Sequence, residues 1–167
     1  MKQFIQATCL ALVVVLAGCG NNAQSDKYGA ALKAAEKHYY KGEFGKAAPL
    51  FKALAEQGNV QAEFFIGGMY LAGTGVPQDY AKALKWSRMA AEHGNTSAQF
   101  NLGKIYELGQ GVPQDDVQAH MWFSLSTSSG DEQATRMRDA MAQRMTYDQI
   151  QKAKALAKAW RIKHNTQ

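Results

Sequence analysis

One stretch of this chain occurs twice in succession. Residues 59–94, NVQAEFFIGGMYLAGTGVPQDYAKALKWSRMAAEHG, and residues 95–130, NTSAQFNLGKIYELGQGVPQDDVQAHMWFSLSTSSG, align without a gap and are identical at 14 of 36 positions. A duplication of that period constrains the fold more than composition does. Each unit has to be one supersecondary element that buries its apolar side against the next copy. The shared residues are Ala62 and Ala98, Phe64 and Phe100, Gly67 and Gly103, Tyr70 and Tyr106, Gly73 and Gly109, Gly75 and Gly111, then Val-Pro-Gln-Asp and a tryptophan, Trp86 or Trp122.

Their spacing spells a helix pair. Ala62, Ile66, Met69, Tyr70 and Gly73 recur at i, i+4, i+7, i+8 and i+11, one face of a first helix. Gly67 and Gly103 lie in mid-helix, where glycine costs up to about 1 kcal/mol against alanine. A neighbouring helix approaching too closely for a side chain explains that choice. Gly-x-Gly-Val-Pro then ends the helix, since glycine admits positive φ and proline cannot continue the ladder. Asp79 and Asp115 are placed to cap a second helix, which runs through Trp86 or Trp122 to a terminal glycine, Gly94 or Gly130.

The flanks carry weaker versions of the unit. Upstream, Ala47, Leu50 and Gly58 keep register with Ala83, Trp86 and Gly94, but a tight Lys-Gly-Glu turn replaces the Gly-Val-Pro loop. Pro49 is expected in the first turn or so of the second helix, where proline is tolerated. Downstream, Asp131 opens a further helix at the repeat spacing, and Met137, Met141 and Met145 form a core stripe. Thr146-Tyr147-Asp148-Gln149 reads as a capping box for a last helix, with Ile150, Ala153, Ala157 and Trp160 on one face. Lys152, Lys154, Lys158, Arg161 and Lys163 take much of its remainder. From His164 the chain is expected to fray.

Gly-x-Gly-Val-Pro-Gln-Asp, followed by alanine and tryptophan and closed by Gly-Asn, resembles the Sel-one-like repeat, a relative of the tetratricopeptide repeat with a longer inter-helix loop. The resemblance runs from about residue 28 to residue 160 and is specific in the two central copies. It implies an all-α fold, an α-solenoid of antiparallel helix pairs with about three repeats plus a C-terminal capping helix.

The N-terminus reads as an address. Met1-Lys2 is a short positive region, and the apolar run to Leu16 is shorter than the roughly 20 residues that span a bilayer. It ends Leu16-Ala17-Gly18-Cys19, which resembles a bacterial lipobox with Cys19 as the lipidation site; a plain secretory signal ending in cysteine is the alternative. Gly20 follows rather than aspartate, and the family's sorting rule then implies the outer membrane, facing the periplasm. Residues 20–25 are small and polar, as an unstructured tether would be. The expected organisation is a signal peptide over 1–18, a lipidated tether over 19–27, a divergent repeat over 28–58, two full repeats over 59–94 and 95–130, and capping helices over 131–163.

Composition excludes more chemistry than it suggests. Only two cysteines occur, Cys9 and Cys19, so no disulfide framework, zinc site or thiol nucleophile is expected in the domain behind Cys19. The net charge of +5 comes without an arginine-rich run interleaved with aromatics, so nucleic acid is not an expected partner. His38, His93, His120 and His164 are scattered away from ligand spacing. No Gly-x-Ser-x-Gly elbow surrounds the serines at 124–129, and Asp115-Asp116 fit capping better than paired catalysis. No metal, cofactor or catalytic residue is expected. A cell-wall or β-lactam hydrolase is the alternative, disfavoured because related repeats described in that role carry paired cysteines.

What remains is a binding surface. Stacked first helices line a concave side suited to a peptide or a helix. Phe64, Gly68 and Leu71 lie opposite the Ala62–Ile66–Tyr70 face, and the matching positions in the next copy are Phe100, Lys104 and Glu107. Tyr39 is a candidate extension of that groove. The alternative is that Phe64 and Phe100 serve only to pack neighbouring repeats. The expected protein is a monomeric scaffold held at the membrane by its lipid, with an envelope protein or peptide as partner. The basic last helix is open to two readings, a solvated cap or a contact with anionic lipid, lipopolysaccharide or peptidoglycan.

Overall fold

A computed structural model of the chain describes residues 20–164, with side chains from Tyr28 onward. The expected signal peptide over 1–18, the candidate lipidation site Cys19 and residues 165–167 lie outside the described residues. Eight α-helices follow one another: α1 (Gly20–Tyr40), α2 (Phe44–Ala55), α3 (Val60–Ala72), α4 (Tyr80–Glu92), α5 (Thr96–Leu108), α6 (Asp116–Ser126), α7 (Glu132–Gln143) and α8 (Tyr147–His164). A 3-10 turn, Thr127–Ser129, follows α6, and the described residues contain no strand. None of these helices is long and apolar enough to cross a membrane.

The helix boundaries follow from caps that recur with the repeat. Asn59, Asn95 and Asp131 stand 36 residues apart, and each side chain accepts from the backbone N–H three residues on, at 2.9, 2.8 and 3.4 Å. The glycine before each has φ of +81°, +83° or +76°, the left-handed stop that ends the preceding helix or turn. Asp79 and Asp115 cap α4 and α6 by accepting from the Lys82 and Gln118 N–H groups, each at 3.0 Å. One such cap contributes about 1 kcal/mol. At the last helix Thr146 and Gln149 form the expected reciprocal box, at 2.8 and 3.3 Å.

Helices pack as pairs, α1 with α2, α3 with α4 and α5 with α6, and each pair stacks on the next through α2–α3, α4–α5 and α6–α7. Three apolar clusters run through the stack. The first joins α1 to α4 around Phe51, Ile66 and Trp86. The second joins α4, α5, α6 and α8 around Leu102, Ile105 and Trp122. The third joins α6, α7 and α8 around Phe123, Met141 and Ala153. A β-carbon on Gly67 would lie 3.0 Å from Ser87 Oγ, and one on Gly103 would lie 2.5 Å from the Phe123 ring. The mid-helix glycines are therefore where paired helices touch.

Three local expectations are corrected. Residues 20–25 belong to α1 rather than to an unstructured tether; no proline interrupts them, and extending a helix that is already nucleated costs little. Pro49 is the sixth residue of α2, a turn deeper than expected, and its exposure shows that the kink-prone side faces outward. His164 is the last residue of α8 rather than a frayed end. Its ring stacks on Trp160 with centroids 4.0 Å apart, and its Nδ1 lies 2.8 Å from the Trp160 carbonyl oxygen.

Candidate functional site

Packing divides the candidate groove residues into two sets. On α3, Phe64 and Leu71 each touch the first and second apolar clusters, so part of each side chain joins two helix pairs while the rest stays at the surface. Gly68 is half-buried, and a β-carbon there would meet nothing within 4 Å. The backbone of α3 is thus open at that point. On α5, Phe100 leans on Phe123, with ring centroids 5.4 Å apart. Lys104 donates to Glu107 at 2.8 Å, with the two side chains 34% and 13% exposed. That pair is partly shielded from water, so it is stiffer than a fully solvated ion pair.

α3 and α5 contact each other directly. Phe64, Gly68 and Leu71 on α3 and Phe100, Lys104 and Glu107 on α5 occupy matched positions of the two repeats, and the candidate strip is made of these two rows. Arg88 of α4 donates to the Tyr106 hydroxyl at 2.8 Å and ties the end of α5 to the preceding pair. Tyr39 is placed elsewhere. Its ring packs among Phe44, Phe51 and Phe65 at centroid distances of 5.2, 6.1 and 5.0 Å, inside the first cluster rather than along the strip.

The sequence reading missed a pair of buried polar residues at matched positions. Glu63 and Gln99 are both buried and both reach the end of α4. Glu63 Oε2 lies 3.1 Å from His93 Nδ1, and Gln99 donates to the Ala91 carbonyl at 3.5 Å. The second carboxylate oxygen of Glu63 and the amide oxygen of Gln99, Oε1 in both, have no protein partner. The signal was present, since a polar residue next to the alanine–phenylalanine positions of both copies falls on the buried face. His93 was read only as a helix-end residue and is in fact the partner of Glu63.

Several other polar groups are occupied structurally. Ser124 and Ser126 bond to the carbonyls of His120 and Thr96 at 2.7 and 2.8 Å. His120 is buried, and burial, followed by repulsion from Arg138 and Lys154, holds its imidazole below the ordinary range. Asp116 accepts a two-pronged pairing from Arg144, at 3.1 and 2.6 Å, which raises the guanidinium further. Among the described residues no group of three or more His, Cys, Asp or Glu side chains could hold a metal ion. The candidate strip on α3 and α5 combines half-buried apolar side chains with the Lys104–Glu107 ion pair.

Residues 60–95 and 96–131 match the Sel1 repeat, one residue beyond the boundaries read from the duplication. The chain is similar to the crystal structure of a protective antigen present in uropathogenic Escherichia coli strains and displaying an SLR fold. The identity is 32% over 85% of this chain and 31% of that one, with a TM-score of 0.78. It is also similar to a Sel1 repeat protein from Oxalobacter formigenes, with 29% identity over 70% of this chain and 49% of the other, and a TM-score of 0.61. The chain thus spans about a third and about half of the lengths of these two neighbours. No curated protein matches it.

Proposed function

We propose that this chain, which carries two Sel1 repeats, is an envelope lipoprotein that holds another protein or peptide against its α3–α5 strip and acts by contact rather than turnover. The observation that supports the reading is the direct contact of α3 with α5, with Leu71 half-buried on α3 and the Lys104–Glu107 ion pair on α5. An apolar side chain next to a stiff ion pair gives a partner both buried area and a direction. Phe64 and Phe100, each half-buried, contribute their exposed edges. The repeat architecture, shared with the neighbouring solved structures, suits such a role because each added pair extends the same surface.

Attachment follows from the sequence. Cys19 ends a lipobox-like run, and two or more acyl chains on it would keep the protein on its membrane, since each buried methylene contributes about 0.8 kcal/mol. Gly20 favours the outer membrane, facing the periplasm. Mass spectrometry of the protein purified from envelopes tests this part: loss of residues 1–18 and an acyl mass on Cys19 are expected. An unmodified full-length chain would contradict it.

The strip is tested in cells. A crosslinker attached at Lys104 is expected to trap one dominant envelope protein, identified by mass spectrometry. Substituting Leu71→Asp together with Lys104→Ala is expected to abolish its retention by the purified protein. Retention at full affinity would rule the strip out.

A further inference from the structure

The last helix carries more charge of one sign than an end cap requires. α8 turns Ile150, Ala153, Leu156, Ala157 and Trp160 inward, onto the second and third clusters. Its remaining surface holds Lys152, Lys154, Lys158, Arg161 and Lys163 against a single carboxylate, Asp148. A cap has to be polar, but nothing obliges it to be cationic. α7, which closes the same end of the stack, shows the mixed solution: Glu132 pairs with Arg136 at 3.3 Å and Asp139 with Arg138 at 2.7 Å. On α8, Arg161 donates to the Ser124 carbonyl at 2.7 Å. Lys152, Lys154 and Lys158 are exposed and have no ion-pair partner among the described residues.

The exposed face also has an apolar seam. Ala155, Ala159 and Ile162 fall at i, i+4 and i+7, all exposed, with Ile162 at 59%. Lys152 borders the seam on one side, and Lys154 and Lys158 border it on the other. Asp148 stands at its N-terminal end, beside Tyr147, whose ring is 74% exposed. Lysines whose alkyl stems can lie along a small apolar strip suit a helix that rests in a headgroup layer. An exposed aromatic at one end suits the same layer. A soluble polyanion would have no use for the seam.

We infer that α8 docks on an anionic bilayer surface through Lys152, Lys154 and Lys158, with Ala155, Ala159 and Ile162 against the headgroup boundary. This surface lies on a different helix from the α3–α5 strip and does not depend on it. Lipid attachment at Cys19 would bring the chain to the bilayer, and α8 would then fix which side of the stack faces it. Each lysine near an anionic surface contributes roughly fivefold to the docked population, so the three together contribute roughly a hundredfold.

The test uses the full chain purified from envelopes, carrying Ala159→Cys labelled with a polarity-sensitive dye. The same labelling without that substitution is subtracted, to account for Cys9 and Cys19. The protein is added to vesicles of phosphatidylcholine alone or with about one third phosphatidylglycerol, at low salt and at about 0.5 M salt. A blue shift on the anionic vesicles only, lost at high salt and in Lys152→Gln/Lys154→Gln/Lys158→Gln, is the expected result. Equal emission on both vesicles, a shift that survives the triple substitution, or an equal shift with a soluble polyanion such as heparin would overturn the inference. Flotation separates the two ideas. Protein that floats with phosphatidylcholine yet shows no shift on anionic vesicles is anchored without α8 docking. Protein that shifts on anionic vesicles yet fails to float with phosphatidylcholine docks without an anchor.

Discussion

The second helices of the two matching repeats start from one template and end in different surroundings. Both carry an aspartate cap, a buried alanine (Ala83 or Ala119) and a tryptophan (Trp86 or Trp122). α4 keeps a solvated side in which Ala81, Lys82, Lys85 and Arg88 are exposed. α6 is buried almost all round, because α7 and α8 both pack on it. Three positions account for the change. Val117, Met121 and Phe123 stand where the first copy has Ala81, Lys85 and Ser87. Residues common to both copies make the helix pair; residues that differ decide what covers it. The same 36-residue unit thereby serves as an internal segment in one place and as the seat of an end cap in the other.

The largest expected contrast is at the matched positions 87 and 123. Phe123 is fully buried, and Phe123→Ala should cost about 3–5 kcal/mol. Ser87 is equally buried, but its hydroxyl has no partner. Ser87→Ala should therefore change stability by less than about 0.5 kcal/mol, or raise it. Urea unfolding of both variants checks the pair; equal losses would mean that the two copies are packed alike.

A smaller contrast is expected at the helix contacts. Gly103→Ala would drive a methyl into the Phe123 ring, which is held by Phe100 and the third cluster, at a cost of about 1–3 kcal/mol. Gly67→Ala meets Ser87 at 3.0 Å, and the gain in helix propensity of up to about 1 kcal/mol offsets much of that crowding. Thermal melts should show a clear loss for the first substitution and a change within about 1 kcal/mol for the second.

The caps should show no contrast at all. Asp79 and Asp115 accept their N–H bonds at the same distance, so Asp79→Ala and Asp115→Ala should each cost about 1 kcal/mol. Losses that differ several-fold in the same melts would break the equivalence of the two copies at the one feature they share most closely.

The smallest effect is the acid sensitivity that His120 adds to the second copy. His120 occupies the position of Leu84. Burial, with repulsion from Arg138 and Lys154 and partial relief from Asp139, depresses its affinity for a proton below the ordinary value of 6.5. The unfolded chain then binds more protons than the folded one as pH falls below 6.5, so stability declines in that range. His120→Leu should flatten this part of the urea midpoint's pH profile. An unchanged profile would show that His120 is hydrated.

Most of the fold was legible because the duplication states it. The glycine stops, the aspartate caps and the Ala62–Tyr70 face are local rules obeyed twice, and the capping box at Thr146 is a four-residue signature. What was not legible depends on a third element. That α8 lies across α6 instead of pairing with α7 follows from Trp122 meeting Trp160, at 6.0 Å between centroids, a contact that no local spacing encodes. The candidate strip was read partly for the same reason. Periodicity placed Phe64 and Leu71 on one face, but it could not tell how much of each is covered by the next pair. Tyr39 shared the right face and was drawn into the aromatic cluster of the first pair instead. Glu63 and Gln99 were overlooked because a polar residue on a buried face looks like a lapse in pattern until its partner on α4 is seen.

Native-state hydrogen exchange measured along α4 and α6 tests most directly whether the last two helices close the stack over α6. The amides from Val117 to Leu125 should be the slowest in the protein, opening only with global unfolding, while those of α4 exchange faster on its solvated side. Rapid exchange in α6, with α7 and α8 opening independently of it, would contradict the packing described for this end of the molecule.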